Sequence, residues 1–206
     1  MTVIIDYDAG NIKSVEKALQ FLGEEVLVTR EKCAILNADR VILPGVGCFG
    51  DAMNKIRGYG LEDVIKEIVK RKIPFLGICL GLQLLFERSE ESDGVEGLGI
   101  LKGEICRIPD KEGLKIPQIG WNSLKYPNRG RLFEGLEEDA YVYFVHSYYL
   151  KAEEESIVTA TTRYSTLIHA AVEKENVFAC QFHPEKSSET GLAILKNFIK
   201  IQKEGE

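Results

Sequence analysis

No stretch of this chain is strongly basic. Its 26 lysines and arginines are scattered among 32 aspartates and glutamates, for a net charge of -6, so the electrostatic footprint of a nucleic-acid binder is missing. No apolar segment approaches the roughly 20 residues needed to cross a bilayer. The opening Met1-Thr2-Val3-Ile4-Ile5-Asp6 has no basic region before a short apolar run, which excludes a secretory leader and predicts a cytosolic protein away from membranes. The five cysteines, Cys33, Cys48, Cys79, Cys106 and Cys180, are odd in number and contain no Cys-x-x-Cys pair. That spacing supports neither a disulfide framework nor a structural zinc site and fits reduced thiols. Internal repeats, low-complexity tracts and linkers are absent as well, and 45% apolar residues in 206 suffice for one large core, so a single domain over residues 1–206 is expected.

What the chain does have is alternation. Val3-Ile4-Ile5, Val26-Leu27-Val28 and Arg40-Val41-Ile42-Leu43 read as buried strands. They are separated by an amphipathic helix carrying Val15, Ala18, Leu19 and Leu22 and stopped by Gly23. Leu61 to Arg71 forms another helix. The second half is richer in strands: Ile105–Ile108, Tyr141–Leu150, Ile157–Thr162, Leu167–Val172 and Val177–Gln181, before a final helix with Leu192, Ile194, Leu195, Phe198 and Ile199. This order predicts an α/β protein with a doubly wound, mostly parallel sheet, flanking helices and a β-rich second half.

The most informative stretch is Ile73-Pro74-Phe75-Leu76-Gly77-Ile78-Cys79-Leu80-Gly81-Leu82-Gln83-Leu84-Leu85-Phe86. Its first part reads as a buried parallel strand, and from Leu80 through Gln83, Leu84 and Glu87 the spacing becomes helical. Cys79 then sits at a strand-to-helix turn, with glycines two before and two after to relieve crowding. A thiol there faces the amino end of the next helix, which favours thiolate and can hold an oxyanion. A small buried core cysteine is the competing reading. Arg88 to Gly94, rich in Ser, Glu and Asp, reads as a solvated loop ending that helix.

Pro44-Gly45-Val46-Gly47-Cys48-Phe49-Gly50 contains the glycine spacing of a dinucleotide fingerprint. It follows the third strand rather than the first and has no acidic residue about 20 positions on at the end of the next strand, which argues against a nucleotide. Such a loop can instead aim backbone N–H groups at a developing negative charge, and adjacency of its strand to the Cys79 strand would make it half of an oxyanion hole.

With only three histidines, each can be weighed. His169 lies within an apolar strand and reads as structural, and His146 either lines a site or satisfies a local hydrogen bond. His183 lies just past a strand and precedes Pro184-Glu185, at the sheet edge where open α/β proteins bind ligands. Glu185 can hold the imidazole by its far nitrogen, giving nucleophile, base and orienter. A plain His-Pro turn with a solvated glutamate is the alternative, and a metal there would need a third ligand that no spacing supplies.

Together the Gly-x-Cys-x-Gly turn and the late His-Pro-Glu make the chain resemble the class I, triad-type glutamine amidotransferases over essentially its whole length. Within them, Asp6-Tyr7-Asp8-Ala9-Gly10-Asn11, Pro44-Gly45-Val46-Gly47, Pro117-Gln118-Ile119-Gly120-Trp121-Asn122, Phe144-Val145-His146-Ser147-Tyr148 and Lys186 resemble the glutaminase subunits of imidazole glycerol phosphate synthases. The resemblance implies hydrolysis of L-glutamine by Cys79, His183 and Glu185, without cofactor or metal. It also implies delivery of ammonia to a (β/α)8-barrel cyclase subunit in a heterodimer, where imidazole glycerol phosphate and aminoimidazole carboxamide ribotide are made for histidine biosynthesis. It assigns the oxyanion hole to the N–H of Leu80 and a loop N–H near Val46, and substrate binding to Gly47, Gln83, Ser147 and Tyr148. It places Asn11, Trp121, Asn122 and Lys186 toward the cyclase, with core burial the alternative for Trp121. A glutaminase of another pathway, a cysteine peptidase on a similar sheet and a catalytically silent subunit are the competing functions.

Overall fold

The computed structural model describes residues 1–202. In chain order its strands are β1 (Thr2–Ile5), β2 (Val26–Thr29), β3 (Arg40–Gly45), β4 (Phe75–Cys79), β5 (Arg88–Ser89), β6 (Gly103–Arg107), β7 (Gln118–Ser123), β8 (Tyr141–His146), β9 (Tyr148–Ala152), β10 (Val158–Arg163), β11 (Leu167–Lys174) and β12 (Val177–Cys180). The helices are α1 (Ile12–Phe21), α2 (Lys32–Leu36), α3 (Phe49–Gly58), α4 (Glu62–Lys70), α5 (Leu80–Gln83) and α6 (Ser188–Lys200).

One mixed sheet runs β2-β1-β3-β4-β12-β11-β9-β6-β5, with β10 paired to β11, while β7 and β8 form a separate two-stranded ribbon. The first five strands of that order are parallel, and antiparallel pairing begins at β11. Apart from Thr2 and Arg40 at their starts, strands β1, β3 and β4 carry no polar side chain before Cys79, because both faces of the sheet are covered. Val3, Ile5, Val41, Leu43 and Phe75 pack with Ile35 of α2, Met53 and Ile56 of α3, and Ile65 and Ile68 of α4. Ile4, Ile42, Leu76 and Ile78 pack on the other side with Val15 and Leu19 of α1 and Ile194, Leu195 and Phe198 of α6.

Three local expectations change. The helix after Cys79 lasts a single turn, because a distant segment takes the carbonyls it would need. Leu98 N–H bonds the Leu84 carbonyl, Ile100 and Leu101 bond Leu85, Gly99 bonds Phe86 and Gly97 bonds Glu87. Four residues give too little helix for a macrodipole, so α5 supplies free N–H groups rather than a field. The expected solvated loop from Arg88 begins instead as β5, parallel to β6. The strand expected over Tyr141–Leu150 breaks at Ser147, with β8 pairing β7 and β9 pairing β6. Sequence periodicity also did not resolve α2 and α3, nor β7 as a strand.

Candidate active site

Strands β3, β4 and β12 are neighbours, so their carboxyl ends meet at one edge. Cys79 is the last residue of β4, at φ 55° and ψ −108°. A non-glycine residue held at positive φ is backbone strain that the surroundings must enforce. They do so through two close approaches. A Cβ on Gly77 would stand 2.6 Å from the Gly81 carbonyl oxygen, and one on Gly81 would stand 1.9 Å from that of Leu43. Both contacts are impossible for any other residue, so the glycines let the chain turn back onto the strand.

The register pairs Gly45 with Cys79, which sets the Val46-Gly47 loop directly beside the sulfur. Gly45 itself packs under the Tyr7 hydroxyl, which donates to the Pro44 carbonyl at 2.9 Å. Leu80, as first residue of α5, has no intrahelical partner for its N–H. A cleft of about 280 Å³ opens over Cys79, Leu80, Val46 and Gly47. That is below the ~300–1,000 Å³ of drug-sized sites and suits an amino acid. Gln83, Ser147 and Tyr148 form the facing wall, and Gln83 Nε2 donates to the Tyr148 carbonyl at 3.2 Å.

His183 does not line the cleft but lies buried behind it. Its backbone N–H bonds the Tyr143 carbonyl at 2.9 Å, and a 3-10 turn over Pro184–Lys186 brings Glu185 back under the ring. His183 Nδ1 stands 2.7 Å from Glu185 Oε1, with the two side chains 1% and 0% exposed. Carboxylate contact at Nδ1 fixes that nitrogen as the donor and leaves Nε2 free. Nε2 has no partner at bonding geometry, as is usual for a catalytic contact that tightens only when substrate is bound. Burial pulls the imidazole down, but Cys79 and Glu185 beside it outweigh that and push it up to about 9.

The interface candidates divide. Trp121 is 51% exposed, and Ile119 and Tyr141 on the same ribbon are 63% and 58% exposed, so Trp121 is not a core residue. Lys186 is exposed, while the Asn122 amide is spent on the Arg163 carbonyl at 3.1 Å. Asn11 is half-buried, with its side chain turned toward the His183 turn. Held at φ 71° just before α1, it donates its side-chain amide to Glu185 Oε1. It is a third member of the buried His-Glu cluster.

His169 accepts the Ala152 N–H at 3.2 Å, a structural role. His146 sits 2.8 Å from the Tyr148 carbonyl through Nδ1 and 3.1 Å from Gln118 Oε1 through Nε2. Burial drives it down to about 4, against the pull of the Tyr148 carbonyl. As pH falls from 6.5 toward 4, the unfolded chain takes up a proton that the folded chain refuses, so this stability is present above 6.5 and lost on acidification. His146→Asn should therefore flatten the loss of stability between those pH values, by on the order of 3 kcal/mol at its acid end. Urea unfolding across the range reads it, and a wild-type slope in the variant would contradict a buried neutral imidazole.

Comparison with known proteins decides the family. The sequence profile described as "Glutamine amidotransferase class-I" matches residues 3–201. The chain belongs to that family. This amidotransferase is 50% identical over 198 residues to "Imidazole glycerol phosphate synthase subunit HisH" of Moorella thermoacetica, covering 96% of this chain and 93% of the relative. It is 47% identical over 201 residues to the protein of the same name from Methanocaldococcus jannaschii, covering 98% and 100%. Among solved structures, one titled "Crystal structure of glutamine amidotransferase" superposes with a TM-score of 0.75 at 23% identity over 96% of this chain and 97% of that one. "Structure of PurLQS from Thermotoga maritima" superposes at 0.71 with 20% identity, over 97% of each. Those two likenesses establish the fold of the amidotransferase and nothing finer.

Sequence reading passed over one cleft residue. Glu91, from the segment after β5, is the one carboxylate on the cleft wall of the amidotransferase among its described residues. Its Oε2 accepts the Phe49 N–H at 2.7 Å at the start of α3, which leaves Oε1 for a cationic group. An acidic residue in an acidic connector carries no periodic signal that would have singled it out.

Proposed function

We propose that this amidotransferase hydrolyses L-glutamine to glutamate and ammonia as the glutaminase subunit of an imidazole glycerol phosphate synthase. Ammonia passes to a (β/α)8-barrel cyclase subunit, which makes imidazole glycerol phosphate and aminoimidazole carboxamide ribotide for histidine biosynthesis in the cytoplasm. The relatives at about half identity over nearly full length carry that synthase name, which weighs against a glutaminase of another pathway. Residues 1–206 act in this reading as one amidotransferase domain, in keeping with one sheet that continues from β2 to β5.

The carrying observation is the strained Cys79 turn at the edge shared by β3 and β12, with the His183–Glu185 pair buried behind it. The Cys79 thiolate attacks the glutamine amide carbon, and the carbonyl electrons move onto oxygen, held by the Leu80 N–H and a loop N–H near Val46. His183 gives its Nε2 proton to the departing nitrogen, releasing ammonia and a thioester. Water then attacks the thioester, His183 takes its proton, and glutamate leaves as the thiolate returns. Glu185 holds the ring through Nδ1, and Asn11 holds Glu185. Gly47, Gln83, Ser147 and Tyr148 hold the substrate, with the free Glu91 oxygen suited to its α-ammonium group. No step uses a cofactor or metal.

Trp121, Ile119 and Tyr141 make the ribbon face that docks the cyclase, with Lys186 beside the His183 turn. The ribbon meets the site at the Tyr143–His183 backbone bond, at Val145 and His146 on the cleft wall and at Ser147 beyond β8. Gly47, at φ 108° with open space around it, allows the neighbouring peptide to turn toward or away from the oxyanion. One oxyanion donor is worth about 100-fold to 1,000-fold in turnover, so docking can switch the site on. Glutamine hydrolysis should therefore be slow in the isolated chain and rise by that factor on mixing with the cyclase. A full rate in the isolated chain would contradict the switch, and no glutamine hydrolysis in the mixture would contradict the function.

A further inference from the structure

Gln181 lies between β12 and His183 and is fully buried. A buried carboxamide must satisfy both its donor and its acceptor end. Its Oε1 accepts from Gln83 Nε2 at 3.0 Å, and its Nε2 stands 3.6 Å from the Cys79 sulfur. Among the described residues its side chain makes no other hydrogen bond, yet its direction is not free. Gln83 Nε2 also bonds the Tyr148 backbone carbonyl at 3.2 Å, and a backbone carbonyl only accepts. The Gln83 amide is thereby turned with its NH2 group toward Tyr148 and Gln181, so Gln181 must answer with oxygen. Its own NH2 group is then forced toward Cys79.

A run of donors that starts on a main-chain carbonyl thus ends with an N–H aimed at sulfur. A thiolate, which accepts and cannot donate, completes that run, and donation to a charged acceptor is the stronger kind of hydrogen bond. Both Gln83 and Tyr148 also line the cleft, so the run joins the substrate wall to the nucleophile by a path separate from His183. We propose that Gln181 is a positioning residue which, through the fixed order Tyr148–Gln83–Gln181–Cys79, aims the Cys79 sulfur and holds it as thiolate. This rests on Cys79 being the nucleophile.

The test is alkylation of the full chain by iodoacetamide across a pH series, in which the thiolate displaces iodide, with the product mapped to the Cys79 peptide. Gln181→Met keeps length and removes the donor. At equal pH on the rising limb of the profile it should slow Cys79 alkylation about tenfold, while the alkaline plateau stays at the wild-type rate. Gln83→Met, which frees the Gln181 amide to turn, should shift the profile the same way by a smaller factor, and it decides the matter alone should Gln181→Met fail to fold. Wild-type profiles in the folded variants overturn the proposal. Equal slowing at every pH overturns it too, since that reports altered access to the thiol. Labelling of the wild-type protein by an electrophilic glutamine analogue keeps the two claims apart. Modification of another cysteine sinks the nucleophile assignment, whereas modification of Cys79 with unshifted variant profiles sinks only the role of Gln181.

Discussion

Cys79→Ala should abolish glutamine hydrolysis, with a loss on the order of 10⁶-fold as for removal of a hydrolase nucleophile, and should leave synthesis from free ammonia by the cyclase complex near its wild-type rate. The selectivity has a structural reason. Alanine keeps the Cβ, so the backbone at φ 55° is no more strained than before, and only the sulfur leaves a site that is already 7% exposed. Glycine packing at Gly77 and Gly81 is untouched, as is the ribbon that carries Trp121. Steady-state assays with glutamine and with ammonium salts read the two activities separately. Loss of both would indicate a failure of folding or assembly and would leave the nucleophile unassigned to Cys79.

His183→Ala should be nearly as damaging, because in the proposed mechanism the same nitrogen protonates the departing ammonia and activates the water; residues acting as one unit do not contribute additively. Combined with Cys79→Ala it should therefore add almost nothing. Glu185→Gln should leave more activity, since the amide can still hold the ring while losing the charge that keeps it protonated. Its remaining activity should decline with rising pH earlier than the wild type, whose imidazole Cys79 and Glu185 together hold up to about 9 against burial. A pH–rate profile on the cyclase complex measures this. Wild-type rates in either variant would refute the triad.

The parts of the site that could be read in the sequence are those whose signals are local. Gly77, Cys79 and Gly81 lie within five residues, and His183 and Glu185 are two apart, so the strand-end positions of both motifs follow from the chain itself. The parallel order of β1, β3 and β4 was equally legible, because strands covered on both faces read as near-continuous apolar runs. What was not legible depends on distant contacts. The length of α5 is set by Gly97 to Leu101, which take the carbonyls of Leu84 to Glu87. Asn11 meets Glu185 across 174 residues, and nothing near Asn11 in the chain announces an acid. Glu91 enters the cleft from a connector whose composition suggests only solvent. The break at Ser147 separates two runs of similar character, and only their pairing with β7 and β6 distinguishes them.

The most direct measurement is to trap the covalent intermediate. The cyclase complex is incubated with an electrophilic glutamine analogue, digested and mapped by mass spectrometry, with L-glutamine as competitor. One adduct per chain is expected, on the peptide containing Cys79, suppressed by glutamine and absent in Cys79→Ala. An adduct on Cys48 or Cys180, or one that glutamine does not suppress, would contradict it.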